Sequence, residues 1–161
     1  MSGSEHHFAS TLRWTGAARG PIRSYEGYSR EYVVEMEGKP PLRASAATVF
    51  RGDGALHNPE DWLVAALSAC HFLSYAALCA RNGVVLVGYE DRATGTMAYD
   101  RQRKVMAFTE VTLRPRCRVA PGTDVERARG LHTQAHHECF IANSVNFPVG
   151  NEPEIAVDAP G

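Results

Sequence analysis

Two cysteines are the residues whose type and surroundings point most directly to a reaction. Cys70 follows the small, apolar run Ala66-Leu-Ser-Ala, and Cys139 ends the polar run His136-His-Glu. A thiol that reduces a peroxide needs a nearby cation that favours the thiolate and donors that stabilise the leaving alkoxide. It also needs a second thiol that traps the sulfenic acid as a disulfide. Cys70 and Cys139 are the candidates for these two thiols, provided that the fold brings them together.

Glu60 is the candidate for holding the cation in place. It precedes Cys70 by ten residues, which is nearly three helical turns, so both side chains share roughly one helical face. Arginine suits the cationic role because it is always charged and offers a fork of donors to a carboxylate. Simpler roles are also open: Glu60 fits the positive end of a helix dipole, and Cys70 fits a buried core position.

One long helix must carry both Glu60 and Cys70. Asn58 is a suitable N-cap, Pro59 fits the first helical position, and acidic residues follow in the first turn. Apolar residues then recur at intervals of three and four, and Gly83 is placed to end the helix. We therefore predict a helix over residues 59–82 that is central and mostly buried.

The remaining elements predict an α+β domain in which antiparallel strands pack around this helix and a second one. The second helix is predicted over residues 124–138 and would place Cys139 at its end. Alternating and β-branched stretches predict the strands, at residues 8–14, 28–37, 42–50, 84–89, 93–99, 105–119 and 154–157. With 161 residues, the whole chain, 1–161, is expected to form a single domain with a flexible tail over residues 1–7.

Composition excludes several classes of partner. The net charge is -1, and hydrophobic and charged residues make up 44% and 22% of the chain, so we expect neither nucleic acid nor an acidic membrane as a partner. The most apolar stretch, residues 62–80, is interrupted by polar side chains, and the N-terminus lacks the pattern of a signal peptide. The predicted location is the cytoplasm, where its four cysteines are expected to serve as packing residues or reactive thiols.

Four segments in order along residues 57–149 resemble the OsmC/Ohr family, whose names stand for osmotically inducible protein C and organic hydroperoxide resistance. The two long ones surround the cysteines, and their sequences are HNPEDWLVAALSACH at 57–71 and AHHECFIANSV at 135–145. The two shorter ones are GYEDRATGTM at 88–97 and TEVTLRP at 109–115. The resemblance implies an OsmC-like fold and an intertwined homodimer with two sites at the subunit interface.

The resemblance also implies the roles of the site residues. Cys70 would be the attacking cysteine, Cys139 the resolving cysteine, and Glu60 the carboxylate that pairs with a catalytic arginine. Arg30 is the first choice for that arginine because Tyr28-Ser-Arg30 looks like a pattern in one subgroup of the family. Arg51, just before the helix, is the second choice. Three other N-terminal arginines are expected to be solvated charges, namely Arg19, Arg23 and Arg43.

The implied function is a thiol-dependent peroxidase that needs no cofactor and reduces organic hydroperoxides. Cys70 would become a sulfenic acid, Cys139 would convert it to a disulfide, and a dithiol reductant of the lipoyl type would restore both thiols. Bulky organic peroxides would be favoured if aromatic neighbours line the pocket, the candidates being Trp62, Phe72 and Phe140. For most of these aromatics, core packing is the competing role.

Two alternatives from other functional classes stay open. One is a non-catalytic thiol-binding or ligand-binding dimer on the same fold, with the cysteines but without effective arginine support. The other is a metal-binding protein, because His132 and His136 are four residues apart, a spacing that suits metal ligands, and Cys139 follows closely. Cys79 and Cys117 match no catalytic position of the family and are expected to be packing thiols.

Overall fold

The helix that carries Glu60 and Cys70 runs over Pro59–Arg81 and is labelled α1. At its start, the Asn58 side-chain oxygen accepts a hydrogen bond of 2.9 Å from the Asp61 backbone nitrogen, so Asn58 satisfies one of the free amides of the first turn. At its end, Gly83 adopts a φ of 67°, and the backbone nitrogen of Val84 returns to the Cys79 carbonyl at 3.0 Å. The expected boundaries of this helix are confirmed, since local capping chemistry determines both ends.

The computed structural model describes residues 5–159 of the chain. These residues form two compact units, which divide between Trp62 and Leu63, and α1 begins in the first. Residues 1–4 of the expected flexible tail lie outside the described residues, whereas residues 5–7 are exposed and have no regular secondary structure. The single domain over 1–161 stays a prediction.

The first unit contains one antiparallel sheet of three short strands. Its strands are shorter than expected. A 3-10 turn, Thr15–Arg19, follows the first strand. The third strand ends early because Thr48–Phe50 forms another 3-10 turn where extended chain was predicted. Arg51 then takes a left-handed φ of 65°, which cannot continue a strand. The strands are β1 (Thr11–Trp14), β2 (Tyr32–Glu35) and β3 (Leu42–Ala44), in the order β1-β2-β3.

The second unit contains two three-stranded sheets and most of α1. In each sheet an antiparallel pair, as predicted, is extended by a third strand that pairs in parallel, which the sequence did not predict. The first sheet has the order β4-β7-β9, with β4 at Leu86–Asp91, β7 at Pro115–Val119 and β9 at Glu154–Val157. The second has the order β5-β6-β8, with β5 at Thr94–Asp100, β6 at Val105–Leu113 and β8 at Val149–Asn151.

The single strand expected over residues 105–119 is in fact β6 and β7, which belong to different sheets. The break lies at Arg114, whose backbone nitrogen donates to the Asp91 side-chain carboxylate at 2.7 Å instead of to a backbone carbonyl of a neighbouring strand. Pro115 follows and has no backbone N–H to donate. On β7, Arg116 and Arg118 are exposed and form ion pairs across the sheet.

The second helix, α2, covers Val125–Glu138, and the Asp124 side chain accepts from the backbone nitrogen of Arg127 at its start. The main core of the second unit lies where α1 and α2 cover the sheet that contains β7. Its fully buried members include aromatic, aliphatic and thiol side chains from all three elements, among them Tyr75, Cys117, Val119, Ala128 and Ala135. The predicted start of the second helix, residue 124, lies one residue before the observed start at Val125.

The expectation that α1 is mostly buried was wrong for the chain as described. Buried side chains occupy one face of the helix, namely Leu67, His71, Tyr75, Leu78 and Cys79, whereas Leu73 on another face is 65% exposed. By length and composition, α1 is the one helix of residues 5–159 that meets the requirements for a membrane span, a test that core helices also pass. The buried face identifies α1 as a core helix of this unit.

Candidate active site

The structure brings Cys70 and Cys139 together within the second unit. Both are free thiols, and the Cys139 side chain lies within hydrogen-bonding contact of Cys70. They are 69 residues apart in the sequence, so this contact depends on how α1 and α2 pack. A dithiol at contact distance is the arrangement from which a disulfide forms directly.

Cys139 is positioned by the way in which α2 ends. It is the C-cap residue of α2, with φ -69° and ψ 110°, so the backbone leaves the helical path at this residue. The Asn143 side chain donates to the carbonyl oxygens of His137 at 2.8 Å and Cys139 at 3.0 Å. These bonds satisfy carbonyls that the helix end leaves free, and they fix the turn that carries the thiol.

The two thiols differ in their exposure. Cys139 is 1% exposed, and burial, reinforced by its contact with Cys70, raises the pKa of its thiol. Cys70 is only partly buried and opens into a cavity of about 590 Å³. A reagent in solution therefore reaches Cys70 first, and Cys139 lies behind it as a protonated thiol.

The cavity next to Cys70 has an apolar wall and a charged end. Leu73, Ala77 and Phe140 form part of the apolar wall, while Arg81, His137 and Glu138 add polar groups. Arg81 was not considered in the sequence analysis, although it follows Cys70 by eleven residues. Eleven residues are about three helical turns, so the periodicity of α1 alone places both on one face.

Of the three aromatic residues expected near the site, the cavity at Cys70 contains only Phe140. Phe72 packs against Tyr89 with the rings tilted by 50° and 4.7 Å between their centroids, and it lines a separate cavity. Trp62, in the first unit, packs edge-on against Tyr32. For Phe72 and Trp62 the structure thus supports the packing role.

Arg30 and Glu60 lie in the first unit, where both line a cavity of about 300 Å³. They do not form an ion pair there. The Arg30 guanidinium donates to the carbonyl oxygens of Tyr28 and Tyr25 and lies over the rings of the same two tyrosines. The structure thus places the two residues in one cavity, with Arg30 bonded to its own loop.

Glu60 has an unsatisfied oxygen in that cavity. Its Oε2 atom is buried and has no hydrogen-bond partner among the described residues. Burial and, second to it, the charge of Glu60 raise the pKa of Tyr32, whose hydroxyl is also buried without a partner. A buried carboxylate oxygen that lacks a donor is costly, so a donor that enters this cavity would stabilise Glu60.

The other N-terminal arginines differ in their partners. Glu31 accepts ion pairs from Arg19 at 2.6 Å and from Arg43 at 3.7 Å. Arg51 shares a polar cavity of about 200 Å³ with Arg30 and Glu31. The exposed Arg19 and Arg43 side chains thus form ion pairs with Glu31, whereas the choice between Arg30 and Arg51 as the catalytic arginine stays a prediction.

A buried chain of side chains joins His71, His132 and Cys117. The His71 Nε2 atom lies 3.0 Å from His132 Nδ1, and His132 Nε2 lies 3.4 Å from Cys117 Sγ. Both ring nitrogens of His132 are therefore engaged, which argues against the metal-binding alternative built on His132, His136 and Cys139. Residues 5–159 contain no group of three or more His, Cys, Asp or Glu side chains arranged to hold a metal ion.

Residues 52–152 match the family model described as OsmC-like protein. This range includes Cys70, Cys139 and Glu60. The chain belongs to the OsmC-like family. An OsmC-like protein of unknown function from Vibrio cholerae is 27% identical, with a TM-score of 0.85 over 93% of this chain and 100% of that one.

Other OsmC-like structures share the fold at lower identity. An organic hydroperoxide resistance protein OsmC from Legionella pneumophila is 17% identical, with a TM-score of 0.70 over 96% of this chain and 100% of that one. OhrB, the organic hydroperoxide resistance protein of Bacillus subtilis, is 16% identical, with a TM-score of 0.63 over 94% and 98%. No functionally curated protein matches the sequence significantly. The OsmC-like fold confirms the α+β prediction and supports a peroxiredoxin-like redox role.

Proposed function

We propose that this protein is a thiol-dependent peroxidase that reduces organic hydroperoxides with Cys70 and Cys139. The observation that carries the proposal is the contact between a partly exposed thiol in a cavity and a buried second thiol. A packing cysteine needs neither an open cavity nor a second thiol beside it. The apolar wall that includes Leu73 and Phe140 favours a substrate with an apolar group over hydrogen peroxide.

In the first step the Cys70 thiolate attacks the terminal oxygen of the hydroperoxide. The O–O bond breaks, Cys70 becomes a sulfenic acid, and the alkoxide leaves and takes up a proton to become an alcohol. A donor aimed at the departing oxygen stabilises the charge that develops there. The peroxide is reduced by two electrons, and Cys70 is oxidised by two.

In the second step the Cys139 sulfur attacks the Cys70 sulfenic acid. The S–O bond breaks, a Cys70–Cys139 disulfide forms, and the hydroxyl leaves as water with the proton of the Cys139 thiol. Because Cys139 is already in contact with Cys70, this step needs little rearrangement. A dithiol reductant, of the lipoyl type by resemblance to the family, then exchanges with the disulfide and restores both thiols.

Arg30 and Glu60 are the proposed support for the first step. Their shared cavity and the unsatisfied Glu60 oxygen favour a state in which the Arg30 guanidinium turns from its loop carbonyls to the carboxylate. Held by Glu60, the guanidinium keeps further donors for the thiolate and the leaving oxygen. Arg51 is the second choice for this role.

A homodimer in the cytoplasm completes the proposal. Leu73 is 65% exposed and Phe140 is 82% exposed, and both belong to the wall of the cavity at Cys70. Large apolar side chains clustered on a surface mark an interaction site, and the family resemblance implies a second copy of the chain as the partner. Gel filtration with light scattering would test this, because a monomer at micromolar concentration would exclude the dimer.

One observation favours a different function, that of a non-catalytic thiol-binding or ligand-binding protein. Arg30 donates to backbone carbonyls and lies over two tyrosine rings, so its charge is already stabilised without Glu60. If this arrangement persists when substrate is present, the cysteines lack their supporting cation. Oxidation by peroxide would then be as slow as that of an ordinary thiol.

The deciding experiment is stopped-flow oxidation of the reduced protein by cumene hydroperoxide and, in parallel, by hydrogen peroxide. We expect oxidation by the organic peroxide to be faster by at least about tenfold, with loss of two thiols per chain. Mass mapping should then find the Cys70–Cys139 link. Slow oxidation by both peroxides, or a link through Cys79 or Cys117, would refute the peroxidase and favour the binding function.

A further inference from the structure

His132 lies at the centre of the buried contacts between α1, α2 and the sheet of the second unit. It is 1% exposed, and its hydrogen-bond partners His71 and Cys117 are 0% and 2% exposed. The Tyr75 ring stacks on the His132 ring with 3.7 Å between centroids and an interplanar angle of 12°. Neighbours on α1 and β7 therefore fix both the position and the rotation of the imidazole.

An imidazole at this position is costly compared with an apolar side chain of similar size. Burying its two nitrogens removes their bonds to water, and only correctly placed partners offset that loss. A fully bonded polar side chain in a core restricts the packing to the one arrangement that keeps its bonds. His132 therefore offers a directional constraint that leucine or phenylalanine would not.

The constraint acts next to the dithiol. His71 directly follows Cys70 on α1, and His132 precedes Cys139 by seven residues, about two turns of helix. Another side-chain bond joins the same helices, from the Tyr75 hydroxyl to the Ala128 carbonyl at 3.2 Å, but it lies farther along both helices from the thiols. The bond between the two histidines is thus the nearer tie between the segments that carry Cys70 and Cys139.

Among the described residues, the His71 ring forms one hydrogen bond, to His132. Its Nε2 atom is bonded to His132, while its Nδ1 atom is buried without a hydrogen-bond partner among the described residues. On the other side, Cys117 in β7 holds the second nitrogen of His132 at 3.4 Å. The sheet therefore anchors His132, and His132 in turn holds α1.

We propose that His132 is a positioning residue that ties α2 to α1 through His71 and thereby sets the approach of the Cys139 thiol to Cys70. The inference rests on the proposed pairing of these two thiols. In this role His132 does not contact substrate. Its effect is on the effective concentration of one thiol relative to the other, which is high only while both helices are held in place.

The test is the equilibrium of the reduced protein with a glutathione redox buffer, which needs no peroxide. Two protein thiols and one oxidised glutathione give one protein disulfide and two reduced glutathiones, so protons and electrons balance. The Cys70–Cys139 disulfide is quantified by mass after acid quenching. We expect His132→Phe, which keeps an aromatic ring against Tyr75 but loses both bonds, to lower the effective concentration by roughly tenfold.

Two conservative variants separate the roles of the two bonds. The amide of His132→Asn reaches about the position of Nδ1 and can keep the bond to His71. The amide of His132→Gln reaches about the position of Nε2 and can keep the bond to Cys117. We expect Asn to restore the effective concentration to within about threefold of the original protein and Gln to stay as low as Phe, since only the first keeps the tie between helices.

Val119→Ala is the matched control, because Val119 is 0% exposed in the same core and does not contact the histidine chain through a hydrogen bond. An equal fall in Val119→Ala, no fall in His132→Phe, or restoration by Gln and not by Asn would overturn the inference. If His132→Phe does not fold, the comparison of Asn with Gln decides. Failure of the original protein to form the Cys70–Cys139 disulfide would instead refute the proposed function.

Discussion

His71 and His132 share a hydrogen bond of 3.0 Å between their ring nitrogens, and neither ring is accessible to solvent. Burial lowers the pKa of His71 to about 4, with a further lowering by His136 that the charge of Asp91 opposes. Burial also lowers the pKa of His132 to about 3, reinforced by His71 and Arg129. Both rings are therefore neutral at physiological pH, and each carries one N–H donor and one acceptor nitrogen.

These lowered values predict acid-sensitive stability. Unfolded histidine titrates near pH 6.5, so below that pH the unfolded chain binds more protons than the folded one. The free energy of unfolding must then fall as the pH decreases from 6.5 towards 4, by about 3 kcal/mol or more for the pair. Urea unfolding at pH 7 and at pH 4.5 measures the change.

Carboxylates also titrate in this range, so the control is the double variant His71→Phe/His132→Phe. It has neither imidazole, and its stability should depend less steeply on pH between 6.5 and 4.5. Equal slopes in the two proteins would contradict the assignment of the acid sensitivity to the histidine pair.

Variants of the two cysteines should separate the two chemical steps. Cys70→Ser removes the attacking thiol and should abolish turnover of cumene hydroperoxide. Cys139→Ser should still be oxidised once by the peroxide, and then stall because no buried thiol lies beside the sulfenic acid. Dimedone labelling followed by mass spectrometry should detect a persistent sulfenic acid at Cys70 in this variant alone. Normal turnover of Cys139→Ser with a dithiol reductant would exclude Cys139 as the resolving thiol.

The sequence was sufficient for the elements whose ends depend on local chemistry. Asn58 and Gly83 bracket α1, and Asp124 begins α2, because a cap needs only a side chain or a glycine in the right position. The break at Arg114 was missed, since it depends on Asp91, 23 residues away. Strand β8 was missed as well, because a three-residue strand gains its order from a parallel neighbour rather than from its own pattern.

The candidate site also contains some features that local sequence predicts and others that depend on tertiary packing. Spacing along one helix indicated a shared face for Cys70 and Glu60, and it would also have indicated Arg81, whereas the catalytic roles of Cys70 and Glu60 come from the family resemblance and stay predictions. The chain from His71 through His132 to Cys117 could not be predicted, because its members come from three elements and His132 to His136 suggested a metal instead. Cys117, expected to be a packing thiol, is buried as predicted and also bonds to His132.

Glu60→Gln should separate stability from activity. The Oε2 atom of Glu60 is buried without a partner among residues 5–159, so a neutral amide removes an uncompensated charge, and stability should stay equal or rise by about 1 kcal/mol. The rate of Cys70 oxidation should nevertheless fall by about a hundredfold, the usual size when a positioned electrostatic group is lost. Thermal unfolding and stopped-flow oxidation, measured on the same preparation, test both parts.

Arginine variants extend this comparison. Arg30→Gln should reduce the oxidation rate as much as Glu60→Gln, and the double variant should add little, because the two residues act as one unit. Arg43→Gln is the control, since Arg43 is exposed and its charge is directed to Glu31. A large effect of Arg51→Gln with none from Arg30→Gln would transfer the supporting role to Arg51.

The four thiols should also differ sharply in their reactivity towards alkylating reagents. Cys70 is partly buried and opens into a cavity, whereas Cys79, Cys117 and Cys139 are buried. Burial raises the pKa of Cys117 to about 12 and also raises the pKa values of Cys79 and Cys139, so their thiolate fractions at pH 8 are small. Iodoacetamide at pH 8, followed by peptide mass mapping, should therefore modify Cys70 first, and guanidinium should make all four equally reactive. Early modification of Cys139 in the folded protein would show that the turn held by Asn143 opens on its own, and the second step would then be limited by that opening rather than by the contact between the two thiols.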